Sequence, residues 1–210
     1  VFCWSRTKNG YVRGLQLRAR GQYEEARRAF LDFERQQPNN PRALDGAIFI
    51  RLLFHEELDA VAAAQHAVDT KSKLFPRFMR GQALAQVGAS DEALADLFEV
   101  YSTRRFPVVG VFLARTLIDQ RRLETAVNYL ERHAWQVGGP CGLLFLADAY
   151  RLRGFNGDAV ATYRDVEDVA RRMLPAALPE LALAQARLGD LENAEQSARE
   201  HLRRLPRDTE

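Results

Sequence analysis

Cysteine is scarce, with only Cys3 and Cys141 in 210 residues. That excludes a disulfide-rich scaffold and a four-cysteine zinc site. Long hydrophobic runs are also missing. Val1-Phe2-Cys3-Trp4 is apolar but far short of the roughly 20 residues that cross a bilayer, and the later apolar stretches are broken by Arg, Asp or Gln. No sign of charge dominates. Thirty basic against 28 acidic residues give +2, divided as 16 against 13 in residues 1–105 and 14 against 15 in 106–210. No whole-molecule field therefore calls for nucleic acid or an anionic membrane. Lysine is nearly absent, three against 27 arginines. Stability does not demand so skewed a choice, which reads as a GC-rich, bacterial source.

Catalytic signatures are missing too. There is no G-x-G-x-x-G, no G-x-x-x-x-G-K-[ST] and no G-x-S-x-G. His55-Glu56-Glu57-Leu58-Asp59 falls short of H-E-x-x-H because its fifth residue is Asp, so no two-histidine zinc clamp forms. His55, His66, His133 and His201 are scattered and read as surface or packing residues. Glu56 and Glu57 would point to different faces of a helix and do not pair for acid–base work. Cys141 would sit at a helix start, where the dipole favours a thiolate. No base lies near it in sequence. No enzyme activity, cofactor or metal is expected.

What is present is a period. Gly21-Gln-Tyr-Glu-Glu-Ala26 recurs as Gly88 to Ala93, Gly154 to Ala159 and Gly189 to Ala194. Weaker copies without the glycine run from Gln120 to Ala126 and from His55 to Ala60. The six alanines are spaced by about 34 residues, a repeat length rather than a domain length. The chain is 47% apolar, so a stack of such units can bury a core that one unit cannot. Each unit reads as two helices. Leu143, Leu146, Ala147 and Tyr150 precede a turn at i, i+3, i+4, i+7; Ala159, Val160, Tyr163 and Val166 follow it. The glycines stand where the first helix must stop in a left-handed residue. Ser90 and Asp190 are placed to accept hydrogen bonds from the free N–H groups of the second helix. Pro41, Pro76, Pro107, Pro140 and Pro175 fall near the starts of successive units. No strand alternation is evident.

These residues resemble the tetratricopeptide repeat, a 34-residue helix–turn–helix with the pattern W-x2-L-G-x2-Y, then A-x3-F, then P. The fifth unit carries Leu143, Leu146, Ala147, Tyr150, Gly154, Ala159 and Tyr163 at those positions; the first carries Gly14, Leu17, Ala26, Phe30 and Pro38. The third carries Gly81, Leu84, Gly88 and Ala93, with Leu97 in place of Phe; the fourth carries Leu113, Ala114, Leu117, Ala126 and Leu130; the sixth carries Leu181, Ala182, Gly189, Ala194 and Pro206. The second is degenerate, with Val61 able to replace Ala60. The resemblance implies an all-α, right-handed superhelical solenoid of about six units over residues 7–206: 7–40, 41–73, 74–106, 107–139, 140–174 and 175–206. Residues 1–6 form a stub and 207–210 a tail. Arg13 and Arg80 stand where the pattern has Leu, so either their stems pack while the heads reach water, or the helices are rotated. The chain starts at Val1, which reads as a processed or excised piece. No polar cap follows the sixth unit, so either the parent continues or another copy covers an apolar end.

The resemblance also implies a concave face built by first helices. Carried onto this sequence, its groove positions are Lys8, Tyr11, Leu15 and Arg18 in the first unit, Phe49 in the second, and Phe78 and Gln82 in the third. They continue as Val111, Arg115 and Ile118 in the fourth, Leu144, Asp148 and Arg151 in the fifth, and Leu183 and Arg187 in the sixth. This mixed apolar and basic set suits an extended peptide or a helix with apolar anchors and acidic side chains. The same residues also read as inter-repeat packing with solvated arginine heads. The leading expectation is a non-enzymatic scaffold that binds a protein or peptide, within a bacterial assembly for secretion, pili or exopolysaccharide export, in the periplasm or cytoplasm. Two alternatives stand. One is an accessory domain of a larger enzyme such as a glycosyltransferase. The other is nucleic-acid binding through the basic stretch Arg6, Lys8, Arg13, Arg18 and Arg20, which Glu24, Glu25, Asp32 and Glu34 can also neutralise locally. An anionic membrane could meet the same five charges. No membrane span is expected, though the parent could be anchored.

Overall fold

Six short turns organise the chain. In each, a residue five positions before a repeat alanine takes the left-handed conformation. Gly21, Gly88, Gly154 and Gly189 have φ of 74°, 81°, 84° and 88°. Where the glycine is missing, His55 (φ 55°) and Arg121 (φ 58°) adopt the same conformation against their side-chain preference. The next residue then returns its N–H five positions back: Gln22 to Leu17, Glu56 to Arg51, Ala89 to Leu84, Arg122 to Leu117, Phe155 to Tyr150 and Asp190 to Gln185, all at 2.9–3.0 Å. This Schellman-type closure ends a first helix and starts a second antiparallel to it.

The computed structural model describes residues 3–71 and 74–204. Among them are twelve helices and no strand. Two compact units divide the chain, residues 1–100 and 101–210. The first contains α1 (Cys3–Ala19), α2 (Tyr23–Gln36), α3 (Pro41–Leu53), α4 (Glu57–Lys71), α5 (Leu74–Gln86) and most of α6 (Ser90–Thr103). The second contains α7 (Pro107–Asp119), α8 (Leu123–His133), α9 (Pro140–Leu152), α10 (Asn156–Arg172), α11 (Leu178–Leu188) and α12 (Leu191–Arg204). Consecutive helices pack on one another from α1 to α5 and from α7 to α12, α6 meets α5 at Gly81, and alternate helices touch as well, α1 on α3 and α3 on α5, α7 on α9 and α9 on α11. That is the expected all-α stack of helical hairpins.

The repeat alanines lie at the hairpin contacts. Ala26, Ala60, Ala93 and Ala126 are fully buried, and Ala159 and Ala194 nearly so. Burial of Ala60, with Val61 only half-buried, fixes the register of the second hairpin. In the first unit Phe30 fills the space between α1 and α3, packed with Ala26 and Ile50. Its ring leaves no room for a Cβ on Gly14 or Gly46, which would fall 2.7 and 2.4 Å from it. In the second unit Leu143, Leu144, Ala147, Ala159, Tyr163, Val166 and Ala184 form one cluster across α9, α10 and α11.

Several local expectations change. Helix α1 starts at Cys3, within the anticipated stub, because residues 3–8 contain no proline or glycine to stop it. Residues 207–210 lie outside the described residues. Pro41, Pro107 and Pro140 do open α3, α7 and α9, but Pro179 rather than Pro175 stands in the first turn of α11. Pro76 is the third residue of α5. Ser90 does not cap by accepting: its hydroxyl donates to the Gly88 carbonyl at 2.9 Å. Asp190 does accept from the Asn193 N–H, at 3.4 Å. The outer face of α12 is charged, with Glu195–Arg199 and Glu200–Arg204 pairs one turn apart. The same helix leaves Leu191 and Leu202 exposed.

Candidate functional site

The first helices of each unit position the expected groove residues, and the structure divides them into three groups. Some side chains belong to the core. Phe78 and Leu144 are each 9% exposed, and Leu144 sits in the cluster around Ala147 and Tyr163. Tyr11 and Leu15 are half-buried against Phe30, with the Tyr11 ring edge-on to it at 5.9 Å. Val111 is half-buried beside Gly138, and Gln82 and Ile118 are also half-buried. The Lys8 side chain, like that of Arg6, lies outside the described ones.

Other residues pair with each other. The Arg18 guanidinium lies over the Phe49 ring at 4.9 Å, joining α1 to α3. This cation–π contact fixes the position of one of the five basic side chains without neutralising it. Arg13 and Arg20 remain exposed. Arg115 is exposed and paired with Asp119 of its own helix at 3.5 Å.

The third group is a junction in the second unit. The half-buried Asp148 carboxylate on α9 accepts the Tyr163 hydroxyl of α10 at 2.5 Å and the Arg187 Nε–H of α11 at 3.1 Å. Arg151 lies 3.6 Å away on α9. Two guanidiniums thus converge on one carboxylate from neighbouring first helices, leaving net positive charge. Both side chains stay over 40% exposed, and Leu183 on α11 is half-exposed. Burial, reinforced by the Asp148 hydrogen bond, pushes the Tyr163 hydroxyl up to about 12. The sequence placed Tyr163 at a packing position; its hydroxyl joins the polar junction.

The first unit hides a second polar network. Arg80, one of the two arginines at a leucine position, keeps only 18% of its side chain exposed and turns its head to neighbouring helices. Its Nε and Nη2 grip both oxygens of Asp96 on α6 at 2.6 Å, and its third nitrogen donates to Gln65 of α4 at 2.5 Å. Asp96 is 3% exposed. Arg51 likewise grips both oxygens of Glu34 on α2, and Arg27 pairs with Glu56. The available signal for the first was Asp96 inside the inward stripe of Ala93, Leu97 and Val100.

His133 packs against the Tyr129 and Tyr101 rings at 5.3 and 6.0 Å. The Cys141 thiol is pushed up by burial and by Glu180, so the thiolate is disfavoured despite the helix start. Among the described residues no three His, Cys, Asp or Glu side chains gather as a metal site, and no helix is long and apolar enough to cross a membrane.

No protein-family profile and no curated protein sequence matches the chain. Solved structures do. A Podospora anserina structure described as a putative kinesin light chain with nearly identical TPR-like repeats superposes with a TM-score of 0.72 at 16% identity, covering 83% of this chain and 100% of that one. A thermophilic TPR protein from Thermus thermophilus gives 0.64 at 19% identity, covering 84% and 98%. MamA from Desulfovibrio magneticus RS-1 gives 0.69 at 15%, covering 79% and 96%.

Proposed function

The chain has the tetratricopeptide-repeat fold, and we propose that it is a non-enzymatic scaffold that binds a peptide or protein on the faces of its first helices. The observation that carries this reading is the junction at Asp148. Arg151 and Arg187 present exposed guanidiniums there beside the exposed Leu183. Arginine offers a planar fork of donors that matches a carboxylate, and leucine offers apolar area. A segment with an acidic residue next to an apolar anchor complements both. The arginine bias of the composition supports a bacterial source, and we assign the scaffold to a bacterial assembly of the secretion, pilus or polysaccharide-export kind.

The test compares capture from a bacterial lysate by the wild-type chain and by a Leu183→Ser, Arg187→Glu variant. Both side chains are partly exposed, but Arg187→Glu also brings a carboxylate to Asp148, so helical content and melting temperature are checked first and Leu183→Ser with Arg187→Gln serves as the milder second variant. A partner held by the wild type and lost by the variant, then reproduced with a synthetic acidic segment of that partner, supports the reading. Equal capture by both chains moves the site off this face.

A further inference from the structure

The second unit has two edges. On one, the helices of each hairpin meet in the turns at Arg121, Gly154 and Gly189. On the other run the links between hairpins: 104–106 before α7, 134–139 before α9 and 173–177 before α11. Antiparallel succession puts these links side by side, and packing agrees. Val137 and the Tyr129 hydroxyl close over Gly110 near the start of α7, and Gly138 lies against Val111. Glu180 of α11 is near enough to Cys141 of α9 to raise its thiol pKa.

The link edge exposes large apolar side chains. Trp135 is 63% exposed, Phe106 48%, and Met173 and Leu174 47% each. Arginine accompanies every one of these links. Arg104 and Arg105 precede Phe106, Arg132 precedes Trp135, and Arg171 and Arg172 precede Met173. Arg171 is held by Glu167, whereas Arg104, Arg105, Arg132 and Arg172 have no ion-pair partner among the described residues. The acids in reach are few. Glu131 accepts the Tyr150 hydroxyl, Glu180 is half-buried, and Asp168 lies a turn back along α10. The opposite edge also exposes Phe155 and Leu191 and carries Arg121, Arg122 and Arg153, but there Glu124, Asp158 and Glu192 follow the turns and offset that charge. Stabilisation of helix C-termini explains some of the arginines. It does not explain why uncovered Trp, Phe, Met and Leu stand beside them.

We propose that this link edge docks on an anionic lipid bilayer, with the guanidiniums on headgroup phosphates and the apolar tips in the interface below. Arginine forks bind phosphate oxygens. Tryptophan is favoured at the boundary between headgroups and acyl chains, and basic residues are drawn to an anionic leaflet. Met173 and Leu174 favour a bilayer over a nucleic acid, because neither offers a ring on which a base could stack. Four apolar tips on three separate links, with unpaired arginines beside each link, also suit a fluid surface that needs no shape match.

The experiment is sedimentation of the full chain with vesicles of equal parts phosphatidylglycerol and phosphatidylcholine, and with pure phosphatidylcholine. Pelleting is expected with the anionic vesicles alone and should fall as salt rises. Phe106→Ser with Trp135→Ser, and separately Arg104→Glu with Arg172→Glu, should each reduce it by about tenfold or more. Arg153→Glu with Arg164→Glu makes the same charge change away from the links and should bind like wild type. In a Trp4→Phe background, Trp135 emission should shift to the blue on binding. Three results would overturn the proposal: no pelleting with anionic vesicles, equal pelleting of link-edge and control variants, or link-edge residues that bind an oligonucleotide or a protein while vesicles are ignored. The peptide reading above is tested at Leu183 and Arg187, so either idea can fail without the other.

Discussion

At the residue scale the two left-handed positions without glycine invite direct tests. Arg121 holds φ 58° where its counterparts are glycine. A side chain in that region costs on the order of 1 kcal/mol. Arg121→Gly should therefore raise stability by up to about 0.5 kcal/mol in urea denaturation, after the extra freedom of the unfolded chain is deducted. Gly154→Ala should lower it by about as much. Asp96 makes the opposite case. With its partner Arg80 largely buried, Asp96→Leu alone leaves a cation unpaired and should cost about 3 kcal/mol. Adding Arg80→Met should recover most of that loss, because it is the orphaned charge rather than the missing pair that destabilises. Tyr163 supplies a pH test. Its pKa is raised in the folded state, so its contribution is complete below pH 10 and is lost as pH rises from about 10 to 12. Tyr163→Phe should flatten that part of the stability–pH curve while weakening the fold at neutral pH through loss of the Asp148 bond.

At the element scale the hairpin is legible in the sequence because its causes are local. A left-handed stop, an alanine five residues later and apolar residues at helical spacing depend on neighbours along one chain. Four of the six stops announced themselves as glycine. His55 and Arg121 did not, because their left-handed conformation is imposed by the backbone closure of the turn and not by anything in their own side chains, which are exposed. The candidate site was less legible. Groove positions carried over from the repeat pattern assume one orientation for every first helix. Here Phe78 and Leu144 turn into the core, whereas Asp148, Arg151 and Arg187 meet across two first helices. Arg80 looked like a surface charge until the burial of Asp96 gave it a partner. Close helix approach offers a prediction at this scale. A Cβ on Gly46 would meet the Phe30 ring at 2.4 Å. Gly46→Ala should thus cost about 1–3 kcal/mol by forcing α3 away from α1, despite alanine's better helix propensity. Gly157, whose Cβ would meet nothing, should accept alanine without such a loss.

At the scale of the whole molecule, a stack of hairpins makes stability a sum of local terms, because each hairpin touches only its neighbours. The contacts between helices obey that rule within each unit: among the described residues, packing joins consecutive helices and alternate first helices. Gly46 acts on Phe30 in the first unit; Ala159 packs among Leu143, Ala147 and Tyr163 in the second. The two substitutions Gly46→Ala and Ala159→Leu share no neighbour, so their costs should add to within about 0.5 kcal/mol in a double-mutant cycle. Gly46→Ala and Phe30→Leu do share a contact. There the smaller ring space should absorb part of the added methyl, giving a coupling of roughly 1 kcal/mol or more. Guanidinium or urea titration followed by circular dichroism reads both cycles. A large coupling between the distant pair would mean that strain at Phe30 travels through the intervening helices to the second unit. The nearest-neighbour account of this stack would then fail, and substitutions at Leu183, Arg187 or the link edge could no longer be assumed to act only where they are made.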